Sequence, residues 1–261
     1  MPHHLPFLTV IETESRRFLE CLAMTDPERP VPSCPGWSAA DLLWHLAEVQ
    51  NFWGTIVAGR MREPGVAAPV RPAAHADLLA MFDLNAQALV EALAGVEPAE
   101  EVWTWADDHS VAFVLRRQAH EALIHRVDAE LAAGEPAGPA AAALAADGVD
   151  ELLTLMVGGI PGWGEFAPDG TTAGIEVTDA AGAWTLALGR FRGTSPDTGK
   201  SYDEDAAEVS LDRAAAATVL RGSAWLVDRW LWGRAGDAVP AIEGDDAVAG
   251  RLRAIVTAST Q

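Results

Sequence analysis

The residue types able to bind a metal or move a proton are unevenly placed along this chain. Of its seven histidines, two fall in the segment His120-Glu121-Ala122-Leu123-Ile124-His125. A separation of five residues turns them about 140° apart on a helix, too far to meet at one ion. The metalloprotease pattern, whose two histidines stand four apart, is thereby excluded. Glu121 and His125, in contrast, are four apart and share a face. Gln118 and Asp128 extend that face into a polar stripe, beside an apolar one of Leu115, Ala119, Leu123 and Val127. A polar stripe ordinarily faces water. His45, on another helical segment, lies on the apolar side between Leu42 and Val49, where an imidazole is ordinarily a hydrogen-bonded core residue. In a helical bundle, however, one inward histidine and a Glu-His pair from a second helix can assemble a three-ligand metal site. Two nitrogens and one carboxylate suit zinc with its fourth position open, as in catalytic sites. Asp41, four before His45, could join them, although a first-turn position favours capping. Cys34 could be a nucleophile, but Ser33-Cys34-Pro35-Gly36-Trp37 reads first as a packed turn. Val157-Gly158-Gly159-Ile160-Pro161-Gly162 has neither the Lys-Ser/Thr of a phosphate loop nor the dinucleotide spacing, and reads as a loop.

The elements that would position these residues follow from periodicity. Leu8, Ile11, Ser15, Phe18 and Leu22 recur at three and four, and Pro27, Pro30, Pro32 and Pro35 then break the pattern. Ser38 and Asp41 have capping-box spacing and open a second helix, whose stripe of Leu42, Leu46, Val49 and Trp53 runs to about Gly59. A Pro- and Ala-rich link from Glu63 to Ala74 precedes a third helix carrying Leu78, Phe82, Ala86, Leu89 and Leu93, and a fourth is expected from about Ser110 to Ala133. Short connections make a four-helix bundle the default. After Gly138 the texture changes. Ala140 to Leu155 reads as one more helix, and Gly174 to Asp179 with Ala183 to Gly189 as a hairpin in which Trp184, Leu186 and Leu188 face one way. A strand is expected at Glu208 to Leu211, and helices at Arg213 to Leu220, Ser223 to Trp232 and Asp245 to Val256. The fold class is therefore mainly α plus α+β, a four-helix domain over residues 1–138 followed by a small α+β domain over 139–261.

Composition bounds the function. At 261 residues, 49% hydrophobic and 21% charged, the chain has the makeup of a folded globular protein. No apolar run reaches the roughly 18 uncharged residues of a membrane span. The net charge of −20 is spread over both halves, which repels phosphate backbones and anionic lipid, and no basic patch offsets it. No nucleic-acid or membrane partner is expected. Two cysteines, Cys21 and Cys34, cannot form a disulfide framework. The start Met-Pro-His-His-Leu-Pro lacks a basic n-region and an apolar stretch, so a cytoplasmic protein with reduced thiols, monomeric or a homodimer, is expected.

At these residues the sequence resembles a known family. Pro32-Ser33-Cys34-Pro35-Gly36-Trp37-Ser38, then Asp41-Leu42-Leu43-Trp44-His45-Leu46, and later Glu121-Ala-Leu-Ile-His125-Arg-Val-Asp128, resemble the mycothiol-dependent maleylpyruvate isomerase family. The resemblance implies a DinB-like bundle in the first half. In the second half Arg221-Gly222-Ser223, Leu231-Trp232-Gly233-Arg234 and Glu243-Gly244-Asp245 are similar to the family's smaller, sterol-carrier-like domain. Carried over by motif, the family's metal ligands fall on His45, Glu121 and His125. Asp128 matches a polar position beside them, able to hold a ligand or a substrate hydroxyl. An arginine that grips substrate would be Arg234 or, second, Arg221, and Trp44 is a further candidate for substrate contact. The resemblance implies a divalent metal, with zinc as the default, and mycothiol as thiol cosubstrate. A metal-bound thiol is deprotonated and nucleophilic, so it could add to a small-molecule electrophile and leave again, as in cis-trans isomerisation of maleylpyruvate, or stay attached in an S-transfer. Two other classes compete. One is a non-catalytic binding module enclosing an apolar ligand with Trp225, Trp230 and Trp232. The other is a metal-dependent hydrolase that activates water, with Asp128 as its general base.

Overall fold

A computed structural model describes residues 5–210 and 216–260, and the chain divides into two compact units, Met1–Gly138 and Pro139–Gln261.

The first unit contains α1 (Phe7–Ala23), α2 (Ala39–Gly59), α3 (His75–Ala94) and α4 (Val111–Ala133). Each begins or ends where local chemistry requires. Ser38 Oγ accepts from the Asp41 amide at 3.2 Å while Asp41 accepts from the Ser38 amide at 3.0 Å, closing a capping box at the start of α2. The Ser38 amide, together with Arg71 at 2.7 Å, holds the Asp41 carboxyl down to about 2. Asp41 is therefore occupied as a cap and not as a metal ligand. Ser110 caps α4, which stops at Gly134, where a φ of 82° places the chain in the left-handed region that glycine adopts without strain. The stripes read from the sequence meet inside. Phe18 packs on Phe82 with ring centroids 4.9 Å apart, and Leu22, Leu42, Leu43, Leu46 and Leu78 close the core around them. At roughly 1.5–3 kcal/mol per fully buried side chain, this layer is what fixes α2 against α3.

α4 departs from its expected amphipathic pattern. Seventeen of its 23 residues are buried, including Gln118, His125 and Asp128, so the polar stripe does not simply face water.

The second unit holds α5 (Ala142–Glu151), β1 (Gly164–Val177), β2 (Ala183–Thr194), β3 (Ser201–Ser210), β4 (Thr218–Gly222), α6 (Ala224–Leu231), β5 (Ala241–Gly244) and α7 (Asp246–Ser259). The strands form one sheet in the order β3-β2-β1-β4-β5, in which only the β1–β4 pairing is parallel. The hairpin is present but longer than its sequence signal, and Leu186 and Leu188 point into a core completed by Leu152, Ile175, Leu220, Leu231 and Leu252. The expected helix from Ala140 to Leu155 ends as α-helix at Glu151 and continues as a π-helical turn, Leu152–Val157. The strand expected at Glu208 to Leu211 is the end of the longer β3, with Leu211 outside the described residues.

The helix expected at Arg213 to Leu220 is corrected. Residues 213–215 lie outside the described residues, and Thr218 to Leu220 are the first three residues of β4, paired with Ala173–Ile175. Local Ala-rich propensity loses there to a ladder that buries Thr218 and Leu220 while Val219 faces the other way. The edge strand β5, whose four residues are all exposed, has no apolar alternation that could announce it.

Candidate metal centre

α2 carries His45 and α4 carries Glu121 and His125, and the three side chains converge. Their possible ligand atoms all lie within 4.8 Å of one another. Glu121 Oε1 is 3.6 Å from His45 Nε2 and 3.2 Å from His125 Nε2, and the two imidazole rings meet edge to face with centroids 4.9 Å apart. Bonds of roughly 2.1 Å at tetrahedral angles separate donor atoms by roughly 3.4 Å, so the two spacings from Glu121 match two edges of a tetrahedral site. The chemistry of the donor set fits as well, being two imidazoles and one carboxylate. The side chain of His45 is 35% exposed whereas that of His125 is 9% exposed, so a small molecule would approach from the His45 side.

The surroundings fix each of the three. Asp128, fully buried, lies 2.9 Å from His125 Nδ1, which leaves Nε2 as the nitrogen turned toward Glu121. An outer carboxylate of this kind sets the tautomer and orientation of a metal-binding histidine. Asp128 is itself held by Ser33 Oγ, which donates to Oδ1 at 2.5 Å, and by Cys34 Sγ, 3.5 Å from Oδ2. Trp37 lies against His45 with centroids 4.9 Å apart. One short loop between α1 and α2 therefore braces both histidines, one through Asp128 and the other through an indole.

Electrostatics favour a cation at this point. Burial works to raise the Glu121 carboxyl, but Arg117, which donates to it at 2.9 Å, and the bonds from His125 and His45 outweigh burial and hold it well below the usual range. Burial works to lower His125, but its bonds to Asp128 and Glu121 push it up to about 9.

Asp128 touches a ligand candidate and holds it in place. Trp44 is half-buried against the bundle core. Arg221, on β4, is gripped by Glu176 and Glu243, both at 2.8 Å. Arg234 is buried, donates to the Trp232 carbonyl and has its guanidinium 6.0 Å from the Trp232 ring. His120 packs edge-on against Phe7 and takes no part. Arg117 was legible only as a residue four before Glu121. Trp37 and Ser33 gave no signal beyond the motif that contains them.

Residues 8–130 match the family model described as the mycothiol maleylpyruvate isomerase N-terminal domain. The first unit therefore carries the N-terminal domain of that family. The chain's fold is also that of two solved structures. A crystal structure of a histidine-to-alanine mutant of the mycothiol-dependent maleylpyruvate isomerase superimposes with a TM-score of 0.54 at 15% identity, covering 91% of this chain and 93% of that one. A crystal structure of the same named enzyme without that mutation gives 0.52 at 16% identity, with the same coverage of each chain. No curated protein matches the sequence significantly. Among the described residues, no helix is long and apolar enough to cross a membrane.

Asp128→Asn is expected to weaken divalent-metal binding about 10–100-fold, the usual effect of losing an outer-shell partner. Competition with a chromogenic chelator measures it, and an unaltered affinity would remove Asp128 from any role toward the metal.

Proposed function

We propose that this protein is a mycothiol-using enzyme of the isomerase or S-transferase type, in which His45, Glu121 and His125 hold a divalent metal, zinc by default. The observation that carries the reading is the convergence of these three side chains, with ligand atoms within 4.8 Å of one another, inside an N-terminal domain of the mycothiol maleylpyruvate isomerase family. When bound, the metal supplies Lewis acidity that keeps a thiol in its thiolate form near neutral pH. The chain's own contribution is placement. Asp128 fixes the His125 ring, Arg117 keeps Glu121 ionised, and the greater exposure of His45 leaves an approach for the thiol and its electrophile.

Arg234, with Arg221 second, is the proposed anchor for a substrate carboxylate. The hydrolase reading loses support. Its nominated general base, Asp128, is fully buried and already engaged by Ser33, Cys34 and His125. Isomerisation is followed as the conversion of maleylpyruvate to fumarylpyruvate with and without mycothiol. Turnover that requires the thiol supports the reading. A thiol adduct without isomerisation selects the S-transferase form, and indifference to mycothiol with both maleylpyruvate and alternative electrophiles refutes it.

A further inference from the structure

The second unit contains a cavity of about 460 Å³, within the ordinary range of small-molecule sites. It lies among the π-helical turn, the segment that leads into β1, the β2–β3 end of the sheet and α7. Met156 and Ile255 supply aliphatic surface, and Trp163, Phe191 and Tyr202 supply a wall of rings. The Trp163 centroid is 5.1 Å from that of Phe191 and 5.5 Å from that of Tyr202. Two glycines make room for this wall. A Cβ on Gly193 would stand 2.8 Å from the Trp163 ring, and one on Gly164 would stand 2.2 Å from the Phe191 ring. The core of the unit is closed by other residues, and Trp163 remains 37% exposed. A π-helical turn is itself uncommon and frequently borders functional sites.

The charge beside the rings is negative. Phe191 pairs with Glu204 across the β2–β3 ladder, and Tyr202 stands two residues before Glu204, so the three share one face of the sheet. Of the neighbouring acids, Asp203 is met by Arg190 and Arg192, and Asp205 by Arg190 and Arg251. Glu204 has no ion-pair partner among the described residues. An uncompensated carboxylate next to aromatic faces is the complement of an organic cation. The wall already attracts one ammonium, since Lys200 Nζ lies 4.6 Å from the centroid of the Tyr202 ring. The net charge of −20 raises the local concentration of cations further.

We propose that this cavity binds a small hydrophobic organic cation, an aryl- or alkylammonium, with its apolar part against Trp163, Phe191 and Tyr202 and its charge beside Glu204. All of its lining residues belong to the second unit, and nothing in the assignment depends on the chemistry of His45, Glu121 and His125. The test is calorimetric titration of the full-length protein with benzyltrimethylammonium, next to benzyl alcohol and phenylacetate as neutral and anionic aryl probes. The ammonium is expected to bind preferentially. Its affinity should fall about tenfold in Glu204→Gln, an exposed substitution that leaves the fold intact, and further in Trp163→Ala. His45→Ala should leave it unchanged. Equal binding of the three probes, no ammonium binding at millimolar concentration, undiminished affinity in Glu204→Gln, or loss in His45→Ala would each overturn the assignment.

Discussion

His45→Ala is expected to lower divalent-metal affinity by more than about 100-fold, beyond what loss of an outer-shell partner such as Asp128 produces. The reason is geometric. His45 is the sole ligand candidate contributed by α2, and without it the pair on α4 offers two donors from a single helix face. The imidazole is partly exposed and surrounded by Trp37, His125 and Glu121, so its removal opens no large cavity in the core. Stability should therefore change by less than about 1 kcal/mol, which separates this variant from one that merely unfolds. Metal analysis of both purified proteins, followed by calorimetric titration with mycothiol, gives the readout. One equivalent of metal in the natural protein and almost none in the variant, with thiol binding lost in parallel, is the expected pattern. Equal metal content in the two proteins would place the ion elsewhere. Equal mycothiol affinity despite metal loss would detach the thiol from the metal and refute the proposed activation.

Much of this arrangement could be read from spacing because it is local. Glu121, His125 and Asp128 lie on one helix face whatever surrounds them, and the Ser38–Asp41 box closes within four residues. The inward position of His45 followed from its place between Leu42 and Val49. What spacing does not carry is contact between distant segments. That the loop before α2 would reach Asp128 through Ser33 and Cys34, and His45 through Trp37, depends on pairings across as many as 95 residues. The same limit applies in the second unit. The β1–β2 hairpin announces itself by alternation across a tight turn, whereas β4 takes its conformation from a parallel partner about 45 residues earlier, against the helix preference of its own Ala-rich approach. The π-helical turn also escapes periodicity, since Leu152 to Val157 fit an ordinary helix until the chain must turn at Gly158 and Gly159. A Cβ on Gly159 would stand 2.3 Å from the Leu155 carbonyl oxygen.

Glu130→Ala is expected to destabilise the first unit by about 3–5 kcal/mol, the largest effect of any single polar substitution proposed for it. Glu130 and Arg126 are both nearly inaccessible and bond at 2.8 Å. The same carboxylate accepts from the Gly138 amide at 2.8 Å and from Arg17 at 3.2 Å, while Arg126 also reaches Glu14 at 2.7 Å and the Gly138 carbonyl at 3.0 Å. Truncation would remove one of the two carboxylates that face the buried Arg126 guanidinium, together with the acceptor of the Gly138 amide, and would loosen α4 from α1 and from the chain leaving the unit. A fall of roughly 10–20 °C in the unfolding midpoint of the first unit should follow. Arg190→Ala breaks pairs with Asp203 and Asp205 that are exposed on the second unit and should lower the unfolding midpoint far less. The pH dependence has a definite sign. Burial works to raise Glu130, but the Gly138 amide and Arg126 outweigh it and hold the carboxyl below its ordinary value. A group depressed in the folded state lends its stability above the unfolded pKa of about 4.3 and loses it as pH falls through the folded value. The gap in melting temperature between the natural protein and Glu130→Ala should thus be full at pH 7 and narrow below about pH 4.3. A gap no larger than that of Arg190→Ala, or one that widens with acid, would show that the network contributes little to holding α4 in place.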